Sequence, residues 1–181
     1  VGYINLRTFF SETAKDDLRD AFAYLNTASI ERLIVDLRYN GGGLVDVAEY
    51  MGDLMGEGRA GQVFSKTVFR SSKSANDTAE NFEPRPESLA PSRISFITTG
   101  STASASEMVA NSMAAYLGTN AALIGRDTFG KPVGQIALDR SACDDRLRVV
   151  AFKTTNANDY GDYFTGLAAG YPKTCSSQDN I

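Results

Sequence analysis

The chain contains no histidine at all. That absence excludes Ser-His-Asp and Cys-His catalysis and any His-ligated zinc, because there is no imidazole to act as base or ligand. Proton transfer in a catalytic site must therefore fall to Lys, Asp, Glu or Tyr. Cysteine is nearly as scarce, with only Cys143 and Cys175. Two thiols cannot build a structural zinc site; both lie in the polar C-terminal third, where a disulfide between them is the expectation. No apolar run approaches the roughly 20 residues that cross a membrane, and no signal peptide opens the chain. Positive charge is not in excess either: 18 Lys and Arg against 22 Asp and Glu leave a net charge of -4. An acidic surface disfavours nucleic acid or an anionic membrane as partner. Also missing are G-x-x-x-x-G-K-[ST] and G-x-G-x-x-G, which argues against nucleotide binding. The absence of G-x-S-x-G and S-x-x-K makes hydrolase-fold esterases and penicillin-binding proteins poor fits. No cofactor and no metal is called for by any motif.

What is present is an ordinary globular composition: 181 residues, 43% hydrophobic and 22% charged. This is one domain, residues 1–181, long enough for a sizeable core. The chain opens on VGYINL without a Met, as if excised from a longer precursor. Residues 2–6 read as a strand. Residues 13–25 read as an amphipathic helix, with Leu18, Phe22 and Leu25 at helical spacing. The run LIVDL at 33–37 is nearly all apolar, the pattern of a strand covered on both faces. YNGGG at 39–43 breaks it, and a second helix follows with Leu44, Ala48, Met51 and Met55 on one stripe. This β-α-β-α start predicts an α/β fold with a mostly parallel sheet and packed helices. Residues 63–70 alternate like a strand. About 71–92 is polar and proline-bearing, a surface excursion or lid. Then come a strand at 94–98, a helix at 104–117, a strand at 121–124, and paired strands at 135–138 and 147–152. From about 155 to 181 the chain reads as an irregular wrap.

Three constellations could carry chemistry. The first is STASASE at 101–107, small residues at the start of a helix. A strand-turn-helix junction exposes the first helical N–H groups and the positive dipole end, which suits a nucleophilic serine or a developing oxyanion. Serine is also a preferred N-cap, a role that needs no catalysis. The second is Lys131 in the turn FGKP. Desolvation of a lysine held near the core disfavours its charged form, and a neutral amine can take a serine's proton. The third is Asn40-Gly41-Gly42-Gly43, where glycines let main-chain N–H groups face a cleft.

In this order the three pieces resemble the carboxyl-terminal processing proteases, the tail-specific peptidases of family S41. The matching text is VGYINL, LIVDLRYNGGG at 33–43, STASASE at 101–107, IGRDTFGK at 124–131, and Gln135, spanning roughly the first 140 residues. The resemblance implies a crotonase-like core and a Ser-Lys dyad in which Ser104 is the nucleophile, Lys131 its base, and Gln135 the group that orients the lysine. Ser101 and Ser106 are weaker nucleophile candidates. Oxyanion N–H groups would come from Gly42 or Gly43 and from Ala105, and Glu107 would support the start of the helix. The chain departs from the family in showing no PDZ domain, in reading Asn111-Ser112-Met113-Ala114-Ala115 where some members carry an acidic residue, and in Pro132 beside the lysine. The implied partner is a polypeptide substrate, with PDZ or other flanking domains outside this sequence. The implied location is the periplasm or elsewhere outside the cytoplasm. Two other classes share the scaffold. One is a binding module for retinoids or other apolar ligands without proteolysis. The other is acyl-CoA chemistry, which needs a carboxylate base that Asp36 or Asp46 would have to supply.

Overall fold

The computed structural model describes residues 1–11 and 13–177. Five strands form a parallel sheet: β1 (Gly2–Asn5), β2 (Arg32–Asp36), β5 (Arg93–Thr98), β6 (Ala121–Gly125) and β9 (Thr174–Ser176), in the order β1-β2-β5-β6-β9. A second, antiparallel sheet has the order β4-β3-β8-β7, built from β3 (Val63–Phe69), β4 (Thr78–Asn81), β7 (Val133–Arg140) and β8 (Asp145–Thr155). The α/β architecture with a parallel sheet and packed helices is the one that the alternating apolar runs predict.

The helices follow their apolar spacing. In α1 (Ala14–Thr27) the buried residues are Ala14, Leu18, Phe22 and Leu25, one stripe at steps of four and three. In α2 (Val45–Leu54) the inward stripe is Val47, Ala48, Met51 and Leu54. Leu44 leaves the expected stripe: it sits at the N-cap with extended backbone, largely exposed. In α3 (Ala105–Leu117) all ten residues from Ala105 to Ala114 are buried. That helix is small and apolar almost all round, the composition of a segment enclosed by protein. It touches β5 and β6 of the parallel sheet and β3 and β8 of the other. Its N-terminus therefore opens where the two sheets meet.

Two stretches differ from expectation. Within 71–92, the strand β4 pairs with β3, and Phe82 and Leu89 are buried in the core, so the excursion is anchored to the body. The wrap at 155–181 sends Tyr163, Leu167 and Tyr171 into the core, and β9 then completes the parallel sheet beside β6. These three stand four positions apart, but Gly161, Gly166, Gly170 and Pro172 break the stretch, so the spacing is not carried on an α-helix.

Candidate active site

Ser104 stands between β5 and α3, at the N-cap, with φ 57° and ψ -116°. An L-residue avoids this left-handed region, and holding it there costs about 1–3 kcal/mol that the surroundings must offset. The offset is visible. Ser104 N–H donates to Glu107 Oε2 at 2.8 Å, and its carbonyl accepts the Met108 N–H at 2.8 Å. The serine is half-buried, while Ser101 is exposed. Ser106 is fully buried and spends its hydroxyl on the Asn40 carbonyl at 3.0 Å.

Glu107 does more than close the first turn. Its buried carboxylate also accepts the Gly130 N–H on Oε1 at 2.7 Å and the Lys131 N–H on Oε2 at 2.8 Å. One side chain thus binds the serine junction to the lysine turn. Gly130 supplies the bend at φ 89°, and a Cβ there would stand 2.6 Å from the Phe164 backbone. Only glycine fits that approach.

The glycine turn is held from the other side. Asn40 is fully buried; its Nδ2 donates to the Leu6 carbonyl at 2.8 Å and its Oδ1 accepts the Gly42 N–H at 3.0 Å. The Asn40 carbonyl accepts the Ala103 N–H at 3.1 Å. Gly42, at φ 96°, lies so close to the serine that an added Cβ would meet the Ala103 carbonyl at 2.7 Å, the Ala105 nitrogen at 2.8 Å and Ser104 Cβ at 2.9 Å. With the Gly42 N–H committed to Asn40, the N–H groups of Gly41, Gly43 and Ala105 are left without an acceptor among the described residues.

These pieces meet in one cleft of about 200 Å³. Ser104, Lys131 and Gln135 all line it, together with Gly41, Gly43, Gly134 and Arg148 and the apolar side chains of Phe10, Leu44, Val45, Val133 and Phe152. Ala105 is buried behind the serine. No hydrogen bond joins Ser104 Oγ to Lys131 Nζ, nor the Gln135 amide to either. The three share a cavity rather than a closed hydrogen-bond chain.

The sequence model of peptidase family S41 matches residues 1–161. The chain belongs to that family. Among solved structures it is similar to a Bacteroides fragilis NCTC 9343 protein assigned to the S41 proteases, at 27% identity and a TM-score of 0.79 over 92% of this chain and 43% of that one. It is similar to the photosystem II D1 C-terminal processing protease at 20% identity and a TM-score of 0.71, over 96% of this chain and 42% of that one. A lipoprotein from Streptococcus agalactiae shares the fold at 17% identity and a TM-score of 0.67, over 97% of this chain and 61% of that one. This S41 chain spans less than half the length of the first two. No curated protein matches it.

Other expectations for this S41 chain fare differently. Asp36, in β2, is fully buried and held by Arg38 Nε at 3.0 and 3.1 Å, Arg38 Nη2 at 2.8 Å and Tyr3 Oη at 2.7 Å. Burial pushes its carboxyl up, but those bonds to Arg38 and Tyr3 outweigh it and hold the group below the usual carboxylate range. Asp46 pairs with Lys15 at 2.8 Å on the surface. Neither lines the cleft, so the acyl-CoA alternative has no base there. Cys143 and Cys175 are unpaired and exposed, which corrects the expected disulfide. The first lies in the turn between β7 and β8, the second on β9 of the other sheet. Among the described residues no group of three Cys, Asp or Glu side chains could hold a metal ion. Asn40 and the bridging role of Glu107 went unread, because an Asn before glycines and a Glu in a first helical turn both carry commonplace local explanations.

Proposed function

We propose that this S41 family member is a serine endopeptidase working through Ser104 and Lys131. The supporting observation is that residues far apart in sequence line a single cleft: Ser104 at a strained helix mouth, Lys131 on a turn tied to the same helix, and Gln135 just beyond. Lys131, in its uncharged form, takes the Ser104 proton as Oγ attacks a peptide carbonyl. The carbonyl oxygen becomes an oxyanion that rests on the N–H groups of Gly43 and Ala105. Lys131 passes the proton to the departing amine, leaving an acyl-enzyme on Ser104. Water, deprotonated by the same amine, then releases the product acid. Gln135 positions the lysine.

The substrate in this reading is a polypeptide, with flanking modules beyond this sequence contributing to its capture. Export to the periplasm or beyond rests on the family resemblance, since the cysteines are unpaired. The test is cleavage of an unfolded protein by the parent, by Ser104→Ala and by Lys131→Ala. Each variant should lose at least about a thousandfold in rate while keeping its fold. Full activity in either folded variant sinks the dyad. Labelling by a fluorophosphonate at Ser101 or Ser106 would move the nucleophile. A parent that binds an apolar ligand tightly and turns nothing over would belong to the binding-module class instead.

A further inference from the structure

On β8, Arg146 and Arg148 point to the same face, because strand side chains alternate with period two. Their circumstances differ. Register sets Arg146 opposite Asp139, and the guanidinium takes both carboxylate oxygens, Oδ1 at 2.6 Å and Oδ2 at 2.9 Å. Arg148 falls opposite Ala137, which offers no charge. Arg148 has no ion pair or hydrogen bond among the described residues, and it lines the cleft that holds Ser104 and Lys131. Among the described residues no acidic side chain lines that cleft. Lys131 and Arg148 are the two basic side chains that line it among the described residues, and Lys131 is the one the peptidase reading already employs.

We infer that Arg148 is a specificity-determining residue that binds a carboxylate of the peptide substrate near the bond being cut. The inference rests on the peptidase reading and adds the substrate's charge to it. An arginine fork matches a carboxylate in geometry, with two parallel N–H···O bonds. Arg148 is exposed, so the pair it forms is solvated and sensitive to salt. Arg148 acts at a distance on the exposed Asp139 but forms no ion pair with it, and a basic side chain free to pair at a cleft favours the opposite charge in whatever enters. The carboxylate has two sources in a peptide, an acidic side chain or the chain's own C-terminus.

The experiment uses quenched fluorogenic peptides that differ at one point. One set replaces Gln by Glu at successive positions on either side of the cleaved bond. The other compares a free C-terminal acid with its amide. The parent should favour one carboxylate-bearing peptide by about fivefold in kcat/KM, the size of an exposed ion pair, and the gain should shrink at high salt. A gain in the first set assigns an acidic side chain; a gain in the second assigns the terminus. Arg148→Ala should abolish the preference while still cleaving the neutral peptide, Arg148→Lys should restore part of it, and Arg148→Glu should turn it toward a lysine-bearing peptide. A parent that cleaves every peptide equally, or a preference that survives Arg148→Ala, overturns the assignment and leaves the peptidase reading standing. A folded parent that cleaves no peptide overturns both.

Discussion

Oε2 of Glu107 accepts the N–H of Ser104 and the N–H of Lys131, each at 2.8 Å. The serine junction and the lysine turn are thereby hung from one oxygen atom of a buried carboxylate, although the two residues stand 27 positions apart in the chain, at 104 and 131. Three backbone donors rely on this side chain, counting Gly130. Glu107→Ala should destabilise the fold by about 3 kcal/mol or more, because buried donors left without acceptors carry their desolvation penalty. Glu107→Gln keeps the shape but turns a donor amide toward donors, so it should lower both the melting temperature and kcat. Denaturant titration and kcat on one substrate check this; a Gln variant matching the parent in both removes the bridging role.

Gly42→Ala tests the packing of the glycine turn on the serine. Its φ of 96° disfavours any Cβ, and the three nearest atoms all lie under 3.0 Å from where one would go. Two of them, the Ala103 carbonyl and the Ala105 nitrogen, are backbone and cannot swing aside. The serine junction must shift, and a displacement of about 1 Å at a reacting centre costs on the order of a hundredfold in rate. The expected result is a folded, weakened variant with kcat down by about that factor, read by steady-state kinetics. Unchanged kcat would show that the turn does not set the serine's position.

Glu49 gives a stability prediction with a definite sign. On α2, burial first and then the charges of Glu80, Asp46 and Asp53 push its carboxyl from 4.5 up to about 7. The folded state then holds this proton more tightly than the unfolded state. Its contribution is full below about pH 4.5 and is lost as pH rises through 7. Glu49→Gln should raise the melting temperature at pH 8 and leave it nearly unchanged at pH 4.5. An equal shift at both values would mean that ionisation of Glu49 is not the cause.

The cysteines allow a simple check. Cys143 and Cys175 are exposed and lie on different sheets, one in a hairpin turn and one on an edge strand. Both should react with a thiol reagent in the native protein, two equivalents per chain, and a reductant should leave the melting temperature where it was. Unreactive thiols that appear only after reduction would restore the disulfide.

The alternation of apolar runs with helical stripes was enough to foresee the parallel sheet and its helices. LIVDL became β2, and the small-residue run after Ser104 became the enclosed α3, because period and burial are written in the residues themselves. The ordered glycine, serine and lysine motifs were equally plain, and Gly43, Ser104, Lys131 and Gln135 do line one cleft, whereas Phe10, Arg148 and Phe152 join it only through the fold. Where Phe82, Tyr163 and Tyr171 would go was not plain, since each stands in a stretch broken by Gly, Pro or polar residues. Nor was β9, three residues with no pattern of their own, which form a strand because β6 offers an open edge.

What the chain determined by itself was a limit on the chemistry: without histidine, proton transfer is left to Lys, Asp, Glu or Tyr. What only the folded molecule decided was who answers to whom. The distances of Glu107 to two separate turns, the N–H of Gly42 spent on Asn40, and Ala137 rather than an acid opposite Arg148 all depend on register and closure between distant segments. Those relations arise from packing across the chain, and no local periodicity encodes them.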